Sequence, residues 1–420
     1  MMEFLKKKLK NYFGEWKMIA LHIVYAVIVG IAAGLAGTAF YFCMDFVTRT
    51  RAENPWLIYL LPAGGLLIIG LYQLLRDRDD SGTNLILSAI HSDDNIPIKM
   101  APLIFVSTLL THLFGGSAGR EGAALQLGGS IGNGISRLFR LEETDQKLLI
   151  MCGMSAAFSA VFGTPLAAAV FAMEVVSVGI MYYSALLPCV ISSLIAHQIA
   201  LFFGAEAEVF SVGAVPDFAA AAVAKIVILA ALCALLSVCF CILLHQGGHF
   251  MQRVFKNQYL RVFFGGLVIV ALTILVGDQT YNGTGMAVIA ACFSEGTTPP
   301  WAFLLKMIFT AVTLSCGYRG GEIVPSFFIG ATFGCLFGNL FGISPAFCAA
   351  VGMGAVFCGV TNCPITSLLI CFELFGFEGM PYYLLAIAVS YVLSGYYGLY
   401  QSQKIIYSKY KNAYINRKTQ

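Results

Sequence analysis

The chain has 420 residues, of which 59% are hydrophobic and 11% charged. A soluble domain carries about a quarter charged residues; this composition, with a mean hydropathy of +0.81, excludes a water-soluble globule and points to many membrane spans. The net charge of +3, from 25 basic and 22 acidic residues, is too small to suggest a nucleic-acid partner.

Residues 1–17 interleave apolar side chains with Lys6, Lys7, Lys8, Lys10 and Lys17. They lack the separate apolar stretch and small-residue cleavage site of a secretory signal, and read as a cytoplasmic amphipathic segment lying on the membrane. Met18–Met44 holds no Asp, Glu, Lys or Arg, enough for a helix across a hydrocarbon core of about 30 Å. Further helical runs are expected near 56–75, 99–117, 121–136, 148–176 and 179–204 in a first membrane repeat, 18–205. After an external linker, 206–217, a second repeat over 218–400 has runs near 218–245, 259–276, 284–293, 301–316, 325–342, 346–358, 364–376 and 381–400. Several runs, 121–136 and 364–376 among them, fall short of the roughly 20 residues a span needs. Short or broken helices enclosed by protein are characteristic of transporters, where irregular backbone lines a cavity. Glycines such as Gly30 and Gly34, and those of 115–132, allow close helix approach.

Lysines crowd the first segment, and Lys404, Lys409, Lys411, Arg417 and Lys418 crowd a basic tail, 401–420. Basic flanks face the cytoplasm, which predicts a multi-pass protein of the cell membrane with both termini inside. The basic loops at 137–147 and 253–261 belong on the same side. Most of the 13 cysteines fall inside apolar runs and read as small packing residues; none has zinc-ligand spacing.

Two segments repeat. In 157–176 Pro165 precedes Glu174 by nine positions, and in 356–375 Pro364 precedes Glu373 by nine, an offset of 199. A second pair, 119–132 and 320–334, shares Gly128 with Gly330 and Gly132 with Gly334 at an offset of 202. Two pairs in the same order predict an all-α integral membrane protein of two inverted-topology repeats, its broken and short helices meeting at a midplane site.

A buried charge in a membrane costs roughly 2.5–3.5 kcal/mol on insertion scales, so each intramembrane acid needs a reason. Glu174 and Glu373 occupy equivalent repeat positions and read as architectural, accepting hydrogen bonds from buried backbone or hydroxyl groups. Glu121 stands in a glycine-rich turn opening a charge-free helix. Free N–H groups at a helix start bind anions, and a carboxylate there can occupy an anion's place and leave it on protonation; the simpler alternative is a capping Glu paired with Arg120.

In motif order, the chain resembles the CLC family of anion channels and proton-coupled anion antiporters over roughly 75–403. Gly119-Arg120-Glu121-Gly122 resembles the family's gating-glutamate motif, with Ala123 in place of the usual Pro. Asp80-Ser81-Gly82-Thr83-Asn84 is similar to the family's Gly-Ser-Gly-Ile-Pro, which puts Ser81 on the anion-ligating Ser. Gly321-Glu322-Ile323-Val324-Pro325 resembles the segment whose backbone amides face the anion, and Gly398-Leu399-Tyr400 the segment whose Tyr hydroxyl contacts it at the inner gate. The resemblance implies helix starts at 83–86, 121–125 and 323–327, a gating and proton-carrying Glu121, and a homodimer with a pathway in each subunit.

The departures point to one branch. Val175 stands where most proton-coupled chloride members have a proton-relay Glu, and Glu322 places an acid beside the anion segment instead. With Asn84, this is similar to the bacterial fluoride-exporting branch, although Val324 replaces its usual Thr and Ser81 is retained. Fluoride export against protons is the leading expectation, with Glu121 and Glu322 carrying protons. A chloride/proton antiporter and a passive chloride channel remain alternatives, and Glu322 favours antiport. A membrane-embedded enzyme has no supporting motif: there is no HExxH, no Gly-x-Ser-x-Gly and no third ligand for His245 and His249. No cofactor or metal is expected.

Overall fold

A computed structural model describes residues 2–75, 82–92 and 96–420, with side chains from Glu15 onward. Sixteen α-helices are present among the described residues. The first eight are α1 (Met2–Glu53), α2 (Leu61–Leu74), α3 (Thr83–His91), α4 (Met100–Leu113), α5 (Glu121–Leu138), α6 (Glu143–Phe162), α7 (Pro165–Glu174) and α8 (Leu186–Phe202). The second eight are α9 (Ala220–Val254), α10 (Gln258–Val276), α11 (Met286–Ser294), α12 (Ala302–Ser315), α13 (Ile323–Phe341), α14 (Pro345–Thr361), α15 (Pro364–Phe375) and α16 (Met380–Leu393). Six helical stretches among them are long and apolar enough to cross a membrane, and six further apolar helices have only 10–17 residues. Large apolar side chains such as Leu74, Phe202 and Leu275 are widely exposed, a surface suited to lipid.

The halves pack in the same order. α1 lies against α6 and α8 as α9 lies against α14 and α16; α5 lies against α6 as α13 lies against α14. Glycines set the closest contacts. A Cβ on Gly128 would stand 2.0 Å from the Gly153 carbonyl oxygen, and one on Gly330 2.4 Å from that of Gly352. The repeat glycines are therefore the places where backbones touch. Gly30 and Gly34 bring α1 onto α8 in the same way, at Ser192 and Ala196.

The apolar run over 148–176 is two helices rather than one. Gly163, at φ 77°, ends α6, and Pro165 opens α7; a left-handed C-cap followed by proline stops one helix and starts another. The second half repeats this with Asn362, at φ 61°, and Pro364. Across this break the repeat acids are exchanged. Glu174, ending α7, accepts from the N–H groups of Ile365 (3.1 Å) and Thr366 (2.8 Å) and from the Thr366 hydroxyl (2.6 Å). Glu373, near the end of α15, accepts from Leu166 N and Ala167 N, both at 2.9 Å. Each carboxylate thus satisfies the other repeat's free helix start, the architectural role expected of both.

Three features do not stand out in the pattern of apolar and charged residues. The basic segment is no separate element: α1 runs unbroken from Met2 into the first span, since Lys, Glu and Leu favour helix and no proline interrupts. Short α3 is expected only through the resemblance, which places a helix start at 83–86; its nine residues are too brief a stretch to stand out as an apolar run. The fold is helical but for a small sheet of β1 (Ser177–Val178), β2 (Lys404–Tyr407) and β3 (Tyr414–Lys418), β1 parallel and β3 antiparallel to β2. Part of 401–420 is therefore folded rather than a free tail, with Gln403, Ile405 and Thr419 buried. All cysteines are free, and all but Cys43 and Cys239 are buried, as packing residues.

Candidate functional site

Two backbone turns meet at the centre of the molecule. Gly119 N donates to Gly321 O at 2.7 Å and Gly321 N to Gly119 O at 2.8 Å, a bridge between equivalent repeat positions. It sets the starts of α5 and α13 side by side. The contact admits no side chain: a Cβ on Gly321 would lie 2.6 Å from Gly122 N, and one on Gly122 2.9 Å from Gly321 Cα. α3 joins them at its first turn. The Thr83 hydroxyl lies 3.5 Å from Gly122 O and accepts from Gln126 Nε2 at 3.1 Å. Gly82 caps α3 at φ 62°, a conformation that favours glycine.

None of the three helix starts carries a side-chain cap. Their leading N–H groups bear partial positive charge and converge, the arrangement that holds an anion. Ala123, Ile323 and Val324 are buried beside them, excluding water from the convergence. Tyr400 is buried too, and its hydroxyl has no hydrogen-bond partner among the described residues. Glu322 and Glu121 lie within its electrostatic reach. A buried donor without an acceptor is costly unless something fills the gap.

The acids differ in what surrounds them. Glu121 is fully buried. Its Oε2 accepts from Arg120 N at 3.1 Å and its Oε1 from Arg120 Nε at 3.3 Å. Arg120 also reaches Glu208 at 3.4 Å and stands over the Tyr41 ring. In this state the Glu121 carboxylate is turned back onto Arg120, as in the capping alternative. Glu322 is the N-cap residue of α13 but does not cap it. It is only half-buried and lines a polar cavity of about 630 Å³ with Asn84, His245, Arg261 and Arg319. A Cβ on Gly122 would lie 3.6 Å from its Oε2. Two carboxylates thus flank one bridge, one sealed behind Arg120 and the other open to the cavity.

Ser81 lies outside the described residues. Asn84 turns its Oδ1 to Ser402 N at 2.9 Å, tying α3 to the segment after Tyr400 rather than leaving that oxygen free. Val175 O accepts from Gln403 Nε2, so an amide stands behind the position of the missing relay acid. His245 contacts Leu399 O at 3.2 Å.

Sequence reasoning missed Gln126, whose buried Oε1 has no partner among the described residues; it is the lone amide in an apolar turn of α5. It also missed buried cations behind the 115–120 turn. Lys306 donates to Gly283 O (2.7 Å) and Tyr281 O (3.2 Å), Arg51 reaches His112 O (3.4 Å), and His112 Nε2 lies 3.0 Å from Ala118 O. A lysine inside the apolar run of α12 was the available signal.

Residues 64–395 match the family described as "Voltage gated chloride channel". The chain belongs to that family, the CLC proteins. A "Chloride/fluoride channel protein" of Pseudomonas syringae pv. tomato is 36% identical over 399 residues, covering 93% of this chain and 88% of its own length. An "H(+)/Cl(-) exchange transporter" of Vibrio parahaemolyticus is 27% identical, covering 84% of this chain and 81% of its own. The crystal structure of a CLC-type fluoride/proton antiporter superposes with a TM-score of 0.88 at 32% identity, over 92% of this chain and 98% of that one. A slow cyanobacterial Cl⁻/H⁺ antiporter shares the fold at a TM-score of 0.76 and 21% identity. The protein is a multi-pass CLC-type transporter with the inverted-repeat fold expected of it.

Proposed function

We propose that this CLC protein exports fluoride in exchange for protons. The observation that carries the reading is Glu322: an acid at the start of α13 that caps nothing, stands where a side chain on Gly122 of the α5 turn would meet it, and opens on a polar cavity. An ionised carboxylate about 4 Å from a bound anion would oppose it by roughly 4 kcal/mol at an effective dielectric of about 20. Anion occupancy therefore requires Glu322 to be protonated or displaced, which links the two fluxes. Glu121 is the second carrier: freed from Arg120, its carboxylate can replace the departing anion at the helix starts, then leave on protonation. Val175 supplies no relay, so Glu322 takes that duty. The fluoride names of two similar proteins support the choice of anion.

Fluoride is small and strongly hydrated, so its site must replace water with several donors. In this reading these are the backbone N–H groups at Gly82, Thr83, Asn84, Gly122, Ala123, Ile323 and Val324, with the hydroxyls of Ser81 and Tyr400. The protein acts in the cell membrane with both termini cytoplasmic, as a homodimer of independent pathways. Labelling of single exposed cysteines from either side tests the orientation; a linked pair with one Glu121→Gln subunit that loses all coupling would contradict independence.

Glu322→Gln is the direct test. It should cut fluoride-coupled proton flux at least tenfold while the protein still assembles. Normal fluoride/proton exchange by this variant would make Glu322 architectural and return the assignment to a chloride/proton antiporter or a passive channel.

A further inference from the structure

The backbone of Tyr400 is held by residues that the proposed transport site does not use. Its carbonyl accepts two donors, the Thr419 hydroxyl at 2.6 Å and Gln403 N at 3.0 Å. Thr419, directly after β3, is buried, and its N–H donates to Gln403 O at 3.2 Å. Gln403 is fully buried. Its Nε2 donates to Val175 O (2.9 Å) and Thr361 O (2.8 Å), and its Oε1 accepts from Asn362 Nδ2 at 3.0 Å. Both amide hydrogens and the oxygen are engaged, so the side chain has one orientation. These bonds join the ends of α7 and α14 and the end of strand β3 into a collar that closes on the Tyr400 carbonyl.

A collar serving stability alone could close on any residue. This one closes on the residue whose buried hydroxyl lacks a partner among the described residues. We propose that Thr419 and Gln403 are positioning residues for anion specificity, the collar fixing the Tyr400 hydroxyl at the distance a small anion requires. The inference rests on the reading that Tyr400 donates to the transported anion. The physical reason is the distance dependence of the contact. A small anion sits closer to its donors than a large one, so the same displacement of a donor costs it more of their attraction. Donor groups must be held within about half an ångström to discriminate. Loosening the collar should therefore cost fluoride more than chloride.

The test uses full-length protein in liposomes, with fluoride and chloride efflux measured separately. Thr419→Val keeps the shape and removes the donor; it should lower the fluoride-to-chloride rate ratio about fivefold, the scale of one hydrogen bond. Thr419→Ser, which restores the hydroxyl, should return the ratio to that of the natural protein. In a Tyr400→Phe background Thr419→Val should change the ratio no further. Should Thr419→Val not assemble, Thr419→Ala carries the same expectation. An unchanged ratio in Thr419→Val, or an effect that adds fully to that of Tyr400→Phe, would overturn the inference while leaving Tyr400 in place. An unchanged ratio in Tyr400→Phe alone would instead remove Tyr400 from the pathway, and the inference with it.

Discussion

Glu174, Glu373, Glu121 and Glu322 share a side chain and differ in their partners. The first two take backbone donors from the opposite repeat, and a carboxylate so satisfied has little reason to move. Glu121 is held through its neighbour Arg120, and Glu322 caps nothing. Val324 is buried two residues further along, in the first turn of α13. Replacing it with Thr adds a hydroxyl donor of nearly the same volume, so Val324→Thr should raise the fluoride-to-chloride rate ratio by a few fold, about the worth of one hydrogen bond. A ratio that falls, measured by paired efflux assays, would exclude this side chain from the anion's surroundings. The acids were legible because a charge in an apolar run stands out and the repeat sorted them. Gln126 and Gln403 were not: a lone amide gives no period and no charge, and its importance appears only with its partners.

At the scale of elements, two short helices end on each other's acids. α7 and α15 have 10 and 12 residues, too few to be stable alone, and their first N–H groups would be unpaired without the exchanged carboxylates. Each hydrogen bond to a charged group contributes about 1.5–3 kcal/mol. Glu174→Ala, which removes three such bonds, should lower stability by roughly 4 kcal/mol in detergent unfolding and reduce folded yield. Stability within about 0.5 kcal/mol of the natural protein would contradict the capping role; ordinary surface substitutions fall in that range. The repeat was legible because Pro165 and Glu174 recur as Pro364 and Glu373. The breaks at Gly163 and Asn362 were harder to see, since apolar residues continue on both sides. The strands β2 and β3 were hidden by their lysines, which read as a solvated tail although Ile405 turns inward.

For the whole molecule, the helices supply a lipid-facing body, the Gly119–Gly321 bridge carries the candidate site, and β2 and β3 fold the segment around Lys409. That segment titrates. Burial pushes the Lys409 ammonium down to about 8 from an ordinary 10.5. The folded chain thus disfavours the charged form. The penalty is complete below about pH 8 and fades as the pH rises towards 10.5, so stability should increase across that window by up to about 3 kcal/mol. Melting curves between pH 7.5 and 10 should show this rise for the natural protein relative to Lys409→Met, and equal slopes would contradict it. The decisive measurement concerns transport itself. Liposomes loaded with fluoride and diluted into fluoride-free buffer should take up protons as fluoride leaves, against an opposing pH gradient, and chloride should replace fluoride poorly. Glu121→Gln protein should pass fluoride and move no protons. Fluoride efflux without proton uptake in the natural protein, or proton movement that survives in Glu121→Gln, would contradict the coupling of the two ions at this site.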